Sequence, residues 1–283
     1  MKRLILNADD FGLTRGVNQG IIRAHRDGIL TSTTLMATAP EFEDACALAL
    51  ANPDLGVGCH VVLVGGTAVT SPAQIPSLAD QSGALAKSLL GFAAKVTRGQ
   101  ILAADIATEV TAQIQKIRAA GIEPTHIDTH KHTHAHPKVM EVIGQVARDC
   151  RITRIRRPIE RIGKSWEGGG LSKQFAAAVA VRTVAGEFES LAQKYGLRTP
   201  DHFLGLAMTG QLGPTELRRM IENLPEGTVE IMLHPGICDQ DLAGTGSRLQ
   251  RQRQLELDGL TDADVKHTVQ KEGIQLITYT GLN

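Results

Sequence analysis

Aromatic side chains make up only 3% of the 283 residues, so Leu, Ile, Val and Ala must fill most of any core. Cysteine is equally sparse. Cys46, Cys59, Cys150 and Cys238 are far apart and form no Cys-x-x-Cys pair. That spacing argues against a disulfide frame and suits reduced thiols in a cytosolic protein. Cys59, beside His60, is either a small buried thiol or a soft metal ligand. An excess of one charge sign is missing too: 30 basic and 30 acidic residues give a formal net charge of zero. Global charge therefore provides no case for a nucleic-acid or polyanion partner. No apolar run reaches membrane-spanning length, and Arg182 interrupts the longest candidate, residues 175–184. The apolar stretch near Met1 is shorter than a signal peptide needs. The expected location is the cytoplasm, with contact at the inner membrane face left open.

What the chain does have is a hydrophobic content of 42%, enough for a large core. Its length fits one closed α/β barrel, typically about 250 residues, and no repeat or linker divides it, so residues 1–283 are read as a single domain. Strand-type runs are expected at residues 4–8, 31–37, 56–64, 125–129, 152–157, 202–208, 229–233 and 274–279. Helical spacing falls between them, over residues 14–27, 103–120, from Pro137 onward, and about 171–195. Repeated strand–helix alternation predicts a parallel sheet with helical crossovers, a (β/α) barrel, TIM-like but distorted. A doubly wound open sheet is the runner-up. Residues 65–83, rich in Gly, Pro and Ser, read as a long loop, as do residues 161–170.

Chemistry-bearing residues collect at the ends of the expected strands. Asp9 and Asp10 close the first, ahead of Phe11-Gly12, and two adjacent carboxylates resist burial unless a cation compensates. His60 lies in the third strand, His130 ends the fourth, Arg156 lies late in the fifth, and His234 ends the seventh. In a parallel barrel those ends share one face, where catalytic groups gather. Strand alternation puts His126, Asp128 and His130 on one side, a metal-ligand type of pattern. His132, His134 and His136 follow the strand end and line the pocket or merely precede the Pro137 helix.

Each group also has a plain reading. The aspartates could cap a turn, His60 could be a core histidine, and His234 before Pro235-Gly236 could stabilise a turn. The basic run from Arg148 to Lys164 could be a solvated edge or could hold an anionic or membrane-associated substrate.

The segments Asn7-Ala8-Asp9-Asp10-Phe11-Gly12-Leu13, Asp27-Gly28-Ile29-Leu30-Thr31-Ser32-Thr33-Thr34, Gly56-Val57-Gly58-Cys59-His60, residues 124–134 and Leu233-His234-Pro235 resemble the YdjC-like carbohydrate deacetylases, the ChbG and HpnK type. Residues 24–30 and 60–64 look more like the hopanoid-associated HpnK group. The resemblance implies a barrel related to polysaccharide deacetylases and loss of N-acetyl groups from an amino sugar, either a GlcNAc-bearing glycolipid such as a glycosylated hopanoid or a chito-oligosaccharide.

By motif position it implies Asp10, His60 and His130 as metal ligands, Asp9 as general base and His234 as general acid. Apart from the resemblance, Asp128, His132, His134 and Arg156 are read as substrate contacts or supports for the ligands; Asp128 either orients His130 or His234 or is buried with a structural hydrogen bond. Lys131 stands where ChbG-type members often carry a histidine. One divalent metal ion is expected: zinc first, with magnesium, manganese, cobalt and nickel also compatible with a mixed His/Asp set. The implied partner is an acetylated amino-sugar substrate, free or lipid-linked, with no nucleic acid and no integral membrane segment; a homodimer is left open. A metal-dependent phosphoesterase and a non-catalytic sugar- or lipid-binding barrel are the competing classes.

Overall fold

The strand β1 (Lys2–Phe11) runs through the middle of a parallel sheet and separates two chemistries by simple alternation. Leu4, Leu6 and Ala8 join the large apolar layer beneath the helices, whereas Ile5 packs with Tyr279 and Leu282 inside the curl of the sheet. Asn7 and Asp9 share the inward side with Ile5, because side chains two apart share a face. The computed structural model describes residues 1–160 and 184–282.

Around β1 the order is β4-β3-β2-β1-β6-β5, with β2 (Ser32–Leu35), β3 (Gly56–Val61), β4 (Ile127–Thr129), β5 (His202–Leu204) and β6 (Gly227–Leu233). Every pairing between the described strands is parallel. The short β7 (Gln275–Leu276) pairs with Arg3 and Leu4 at the start of β1. This is the expected α/β barrel, with two irregular positions. The strand expected at residues 152–157 forms only isolated bridges: Ile155 pairs with Ile127 beside β4, and Glu160 with Phe203 of β5. These two parallel bridges close the curl between the sheet's edges. Pro158 explains the irregularity, since it lacks a ladder donor and the chain bends around it, with Ile159 N–H bonding to the Arg157 carbonyl at 2.8 Å. The last expected strand also shortens, because Thr278 caps a 3-10 turn at Tyr279–Gly281 that swings Tyr279 inward.

The described helices are α1 (Arg15–Arg26), α2 (Phe42–Leu50), α3 (Leu89–Thr97), α4 (Ala103–Ala119), α5 (Pro137–Asp149), α6 (Ala185–Lys194), α7 (Pro214–Glu222), α8 (Gln240–Gly244), α9 (Arg251–Thr261) and α10 (Ala263–Lys271). In α1, Thr14 accepts the Val17 N–H at 3.1 Å as N-cap, and Val17, Ile21 and Ala24 face the sheet. Pro137 opens α5, a position that needs no amide hydrogen. Of the helix expected at residues 171–195, α6 is the described part; the remainder and the expected loop at 161–170 lie outside the described residues.

The long loop after β3 is tied down by one face of α4. Gln113 bonds both backbone groups of Val62 at 2.9 and 2.8 Å, Glu109 accepts the N–H groups of Val69 and Thr70, and Asp105 accepts that of Ser77. Spacing of four residues stacks these side chains in a row along the helix. A polar stripe that would ordinarily face water thus orders the rim of the barrel.

Candidate active site

The adjacent aspartates reach the same rim because β1 bulges. Its register against β2 slips between Ala8 and Phe11, and Asp10 sits at φ 68°. Without the slip, Asp10 would point away from Asp9; a bulge re-aims a side chain in this way. Asp tolerates the left-handed region better than most residues, and Gly12 at φ 99° completes the turn.

Asp10 is buried, and its two oxygens have different surroundings. Oδ2 accepts from Arg253 Nη2 at 2.5 Å. Oδ1 has no hydrogen-bond partner, yet His130 Nδ1 lies 3.3 Å away and His60 Nε2 3.6 Å away. One ligand atom from each of these three residues falls within 4.8 Å of the others. Two imidazole nitrogens and a carboxylate oxygen, converging on an otherwise unsatisfied buried acceptor, suit a divalent cation. Burial opposes the charge of Asp10, but chiefly Arg253, and then His130, hold its carboxyl well below the usual range.

His60 turns its other nitrogen to Asp128, with Nδ1 2.6 Å from Oδ1. The pair follows from register, since His60 stands opposite Asp128 where β3 meets β4. A carboxylate behind a histidine fixes the tautomer that leaves Nε2 as a ligand. Asp128, expected to orient His130 or His234 or to be buried with a structural hydrogen bond, is buried against His60, its neighbour across the ladder. Burial lowers the affinity of His60 for a proton, but Asp128 and then Asp9 and Asp10 raise its pKa to about 9. The pocket is thus a field that favours positive charge.

Asp9 lies beside this set in the grip of Arg156. Arg156 is fully buried; its Nη1 and Nη2 donate to the two Asp9 oxygens at 2.8 and 2.6 Å. The same Nη1 is 2.7 Å from Asp128, and Nε donates to Glu230 at 2.8 Å. Burial works against an ionised Asp9, but Arg156 overrides it and keeps the carboxyl far below its ordinary value. Arg156 therefore lies fully enclosed, beneath the Asp9 carboxylate. In a second possible donor group, Asp9, His60 and Asp128, this guanidinium already pairs with both carboxylates. Below it, Glu230 accepts from the Tyr279 hydroxyl at 2.5 Å, and burial lifts its pKa to about 7.

His234 brings Nε2 to 3.9 Å from Asp9 Oδ2. Its Nδ1 is buried without a hydrogen-bond partner, and burial depresses the ring to about 4 against the pull of Asp9 and Asp10. The resting imidazole is therefore neutral at pH 7. Glu256 on α9 fixes the backbone here, accepting the N–H groups of His234 at 2.5 Å and Gly210 at 2.6 Å.

The remaining histidines divide. His132 stands near the barrel interior with its ring against Phe203 at 5.8 Å. His134 is fully buried between Thr129 Oγ1 at 2.6 Å and the Arg156 carbonyl at 3.2 Å. Nε2 must carry the proton to donate to that carbonyl, so Nδ1 accepts from Thr129. His134 steadies the Arg156 backbone. His126 is stacked on Tyr279 at 3.6 Å, deeper in the barrel. Gly58 makes room for it: a methyl group there would come within 2.4 Å of the ring.

The basic run does not form one surface. Arg148 neighbours Asp149, Arg154 donates to the Thr280 carbonyl, Arg156 is internal, and Arg157 pairs with Glu189. Arg161 and Lys164 lie outside the described residues. Cys59 is buried in the apolar layer opposite His60. Arg253, Glu256, Glu230 and Tyr279 were not anticipated from sequence. Glu230 carried a signal, as a charge within an apolar strand; Arg253 and Glu256 lie in a charged stretch that resembles a solvated helix.

The YdjC-like protein family matches residues 3–271. A carbohydrate deacetylase of Brevibacillus brevis is 35% identical over 281 residues, covering 99% of each chain. A chitooligosaccharide deacetylase of Proteus mirabilis is 32% identical over 286 residues, covering 99% of this chain and 98% of that one. In three dimensions, an Enterococcus faecalis V583 protein provisionally named for cellobiose-phosphate cleavage superposes with a TM-score of 0.77 at 27% identity, over 98% of this chain and 97% of the other. The match runs nearly end to end and includes the segments that build the site, so this chain belongs to the YdjC-like family.

Proposed function

We propose that the protein hydrolyses the N-acetyl group of an amino sugar, using a divalent cation held by Asp10, His60 and His130. The observation that carries this reading is the buried, unpartnered Asp10 Oδ1 with two imidazole nitrogens turned toward it. The names of the relatives from Brevibacillus brevis and Proteus mirabilis support the reaction class.

A cation bound there would polarise the acetamide carbonyl and make water acidic enough to attack near neutral pH. Asp9 is the proton acceptor. Arg156 keeps it ionised and fixes its orientation, so it is ready before substrate arrives. His234 delivers a proton to the departing nitrogen, since an amine leaves poorly as an anion. Because His234 starts neutral, that proton comes from the attacking water by way of Asp9, across the 3.9 Å gap, with a small movement closing the distance. The hydroxyl joins the acetyl carbon, the carbon–nitrogen bond breaks, and acetate and a free-amine sugar are released.

Nitrogen-rich ligation favours zinc over magnesium or manganese. A two-metal phosphoesterase is disfavoured by Arg156, which fills the space between Asp9 and Asp128. For the acceptor, the likeness of residues 24–30 and 60–64 to the HpnK group favours a GlcNAc-bearing lipid over a chito-oligosaccharide. The test is acetate release from both substrate types by the zinc-loaded protein, with His130→Ala alongside. Turnover in the wild type and loss of stoichiometric zinc in the variant are expected; a variant that keeps zinc and turnover would remove His130 from the ligand set.

A further inference from the structure

The side chain of Arg253 comes from α9, far in sequence from Asp10, and is 1% exposed. Its Nη2 donates to Asp10 Oδ2 at 2.5 Å, while Nε and Nη1 have no partner. A buried guanidinium with two idle donors is an expensive way to fill space, and a residue of apolar character would pack at lower cost. The surroundings fix it in place. The Arg253 carbonyl accepts the Gly236 N–H at 3.1 Å, and one turn later Glu256 accepts the His234 N–H. One helical turn therefore reaches both the Asp10 carboxylate and the His234 backbone.

We propose that Arg253 is a positioning residue that restricts Asp10 to one-oxygen ligation, and so tunes the site toward cations of low coordination number. This rests on the metal-site reading above. By occupying Oδ2, the guanidinium leaves Oδ1 as the carboxylate's single free acceptor and fixes the direction it faces. A carboxylate free to swing would offer both oxygens and build the larger, oxygen-richer shell that manganese accepts more readily than zinc.

The informative quantity is a ratio of affinities. Removing a positive charge near the site strengthens the attraction of every divalent cation alike, so that contribution cancels between metals. What remains is the change in ligation. In Arg253→Gln, the Kd for Mn2+ relative to that for Zn2+ is expected to fall about tenfold, the lower end of effects seen when a ligand's supporting partner is changed. The visible absorbance of the Co2+-loaded variant should weaken toward that of a six-coordinate ion. Arg253→Lys keeps a charged donor beside Oδ2 and should restore both readouts toward wild type.

Absence of Co2+ or Zn2+ binding by the wild-type protein would refute the metal-site reading itself. Normal wild-type binding with an unchanged ratio and spectrum in Arg253→Gln would overturn the role of Arg253 alone. Should that variant not fold, a crystal structure of the Zn2+-loaded wild type decides the matter: one Asp10 oxygen on the metal supports the proposal, and two refute it.

Discussion

His60 Nδ1 and Asp128 Oδ1 stand 2.6 Å apart, joined by the register that sets the two residues opposite each other on β3 and β4. The contact leaves the other ring nitrogen turned toward Asp10, the side on which the proposed cation would sit. Asp128→Asn leaves an oxygen for His60 but turns an amide toward Arg156 Nη1, where the wild type has an acceptor at 2.7 Å. Zinc affinity is expected to fall by about tenfold to a hundredfold. Isothermal titration of the metal-free protein measures it, and an unchanged Kd would show that Asp128 does not orient His60.

Arg156 is the electrostatic centre of the barrel interior. Asp9, Asp128 and Glu230 surround it, all buried. Removing the shared cation leaves buried carboxylates uncompensated, which is far more damaging than losing a surface pair. Arg156→Met is expected to destabilise the fold by about 3–5 kcal/mol. Urea unfolding checks this; a loss below about 1 kcal/mol would mean that the carboxylates find protons or water instead.

The legible parts of the site were those written in strand periodicity. Asp9, His60, His130 and His234 each fall at or near a strand end, and a parallel sheet gathers such ends without further information. Tertiary position decided what sequence could not. Arg253 and Glu256 sit in Arg251-Gln252-Arg253-Gln254-Leu255-Glu256, a segment whose charges give no sign of burial before α9 packs against Gly236. Arg156 looked like one member of a basic run because the run gives no sign of which arginine turns inward. His134 shared its spacing with a metal motif, yet the 3-10 turn beginning at His130 takes its ring away from the site. The fifth strand was misjudged through Pro158, whose effect on the ladder outweighed the apolar pattern around it.

Glu230 gives the protein a dependence on pH that can be signed. Its folded pKa of about 7 lies above the ordinary 4.5, because burial disfavours the charged form more than Arg156 supports it. The folded state therefore holds a proton there that the unfolded chain has released. The associated stability is complete below about pH 4.5 and is lost as pH rises toward 7. Glu230→Gln is neutral throughout and can still accept from Arg156 while donating to the Tyr279 oxygen. Its melting temperature should fall less than that of wild type between pH 5 and 8. Parallel thermal curves for the two proteins across that range would show that Glu230 is ionised throughout.

The proposed mechanism gives Asp9 and His234 separable duties, and substitution can divide them. Asp9→Asn keeps the shape beside the cation site and leaves Asp10, His60 and His130 untouched, so zinc should still bind near stoichiometrically. It removes the proton acceptor, and turnover should fall by about 10²–10⁴-fold. His234→Ala should lower kcat by a similar order while KM changes little, because its imidazole acts on the departing nitrogen. Glu256 accepts the His234 backbone N–H, a bond that truncating the ring does not remove, so the loop should keep its place in that variant. Amines that leave readily reduce the need for a proton donor. Aryl acetamides with electron-withdrawing substituents should therefore recover much of the lost rate in His234→Ala and none in Asp9→Asn. Equal rescue of both variants would mean that the two residues act as one unit and that the division between base and acid is wrong.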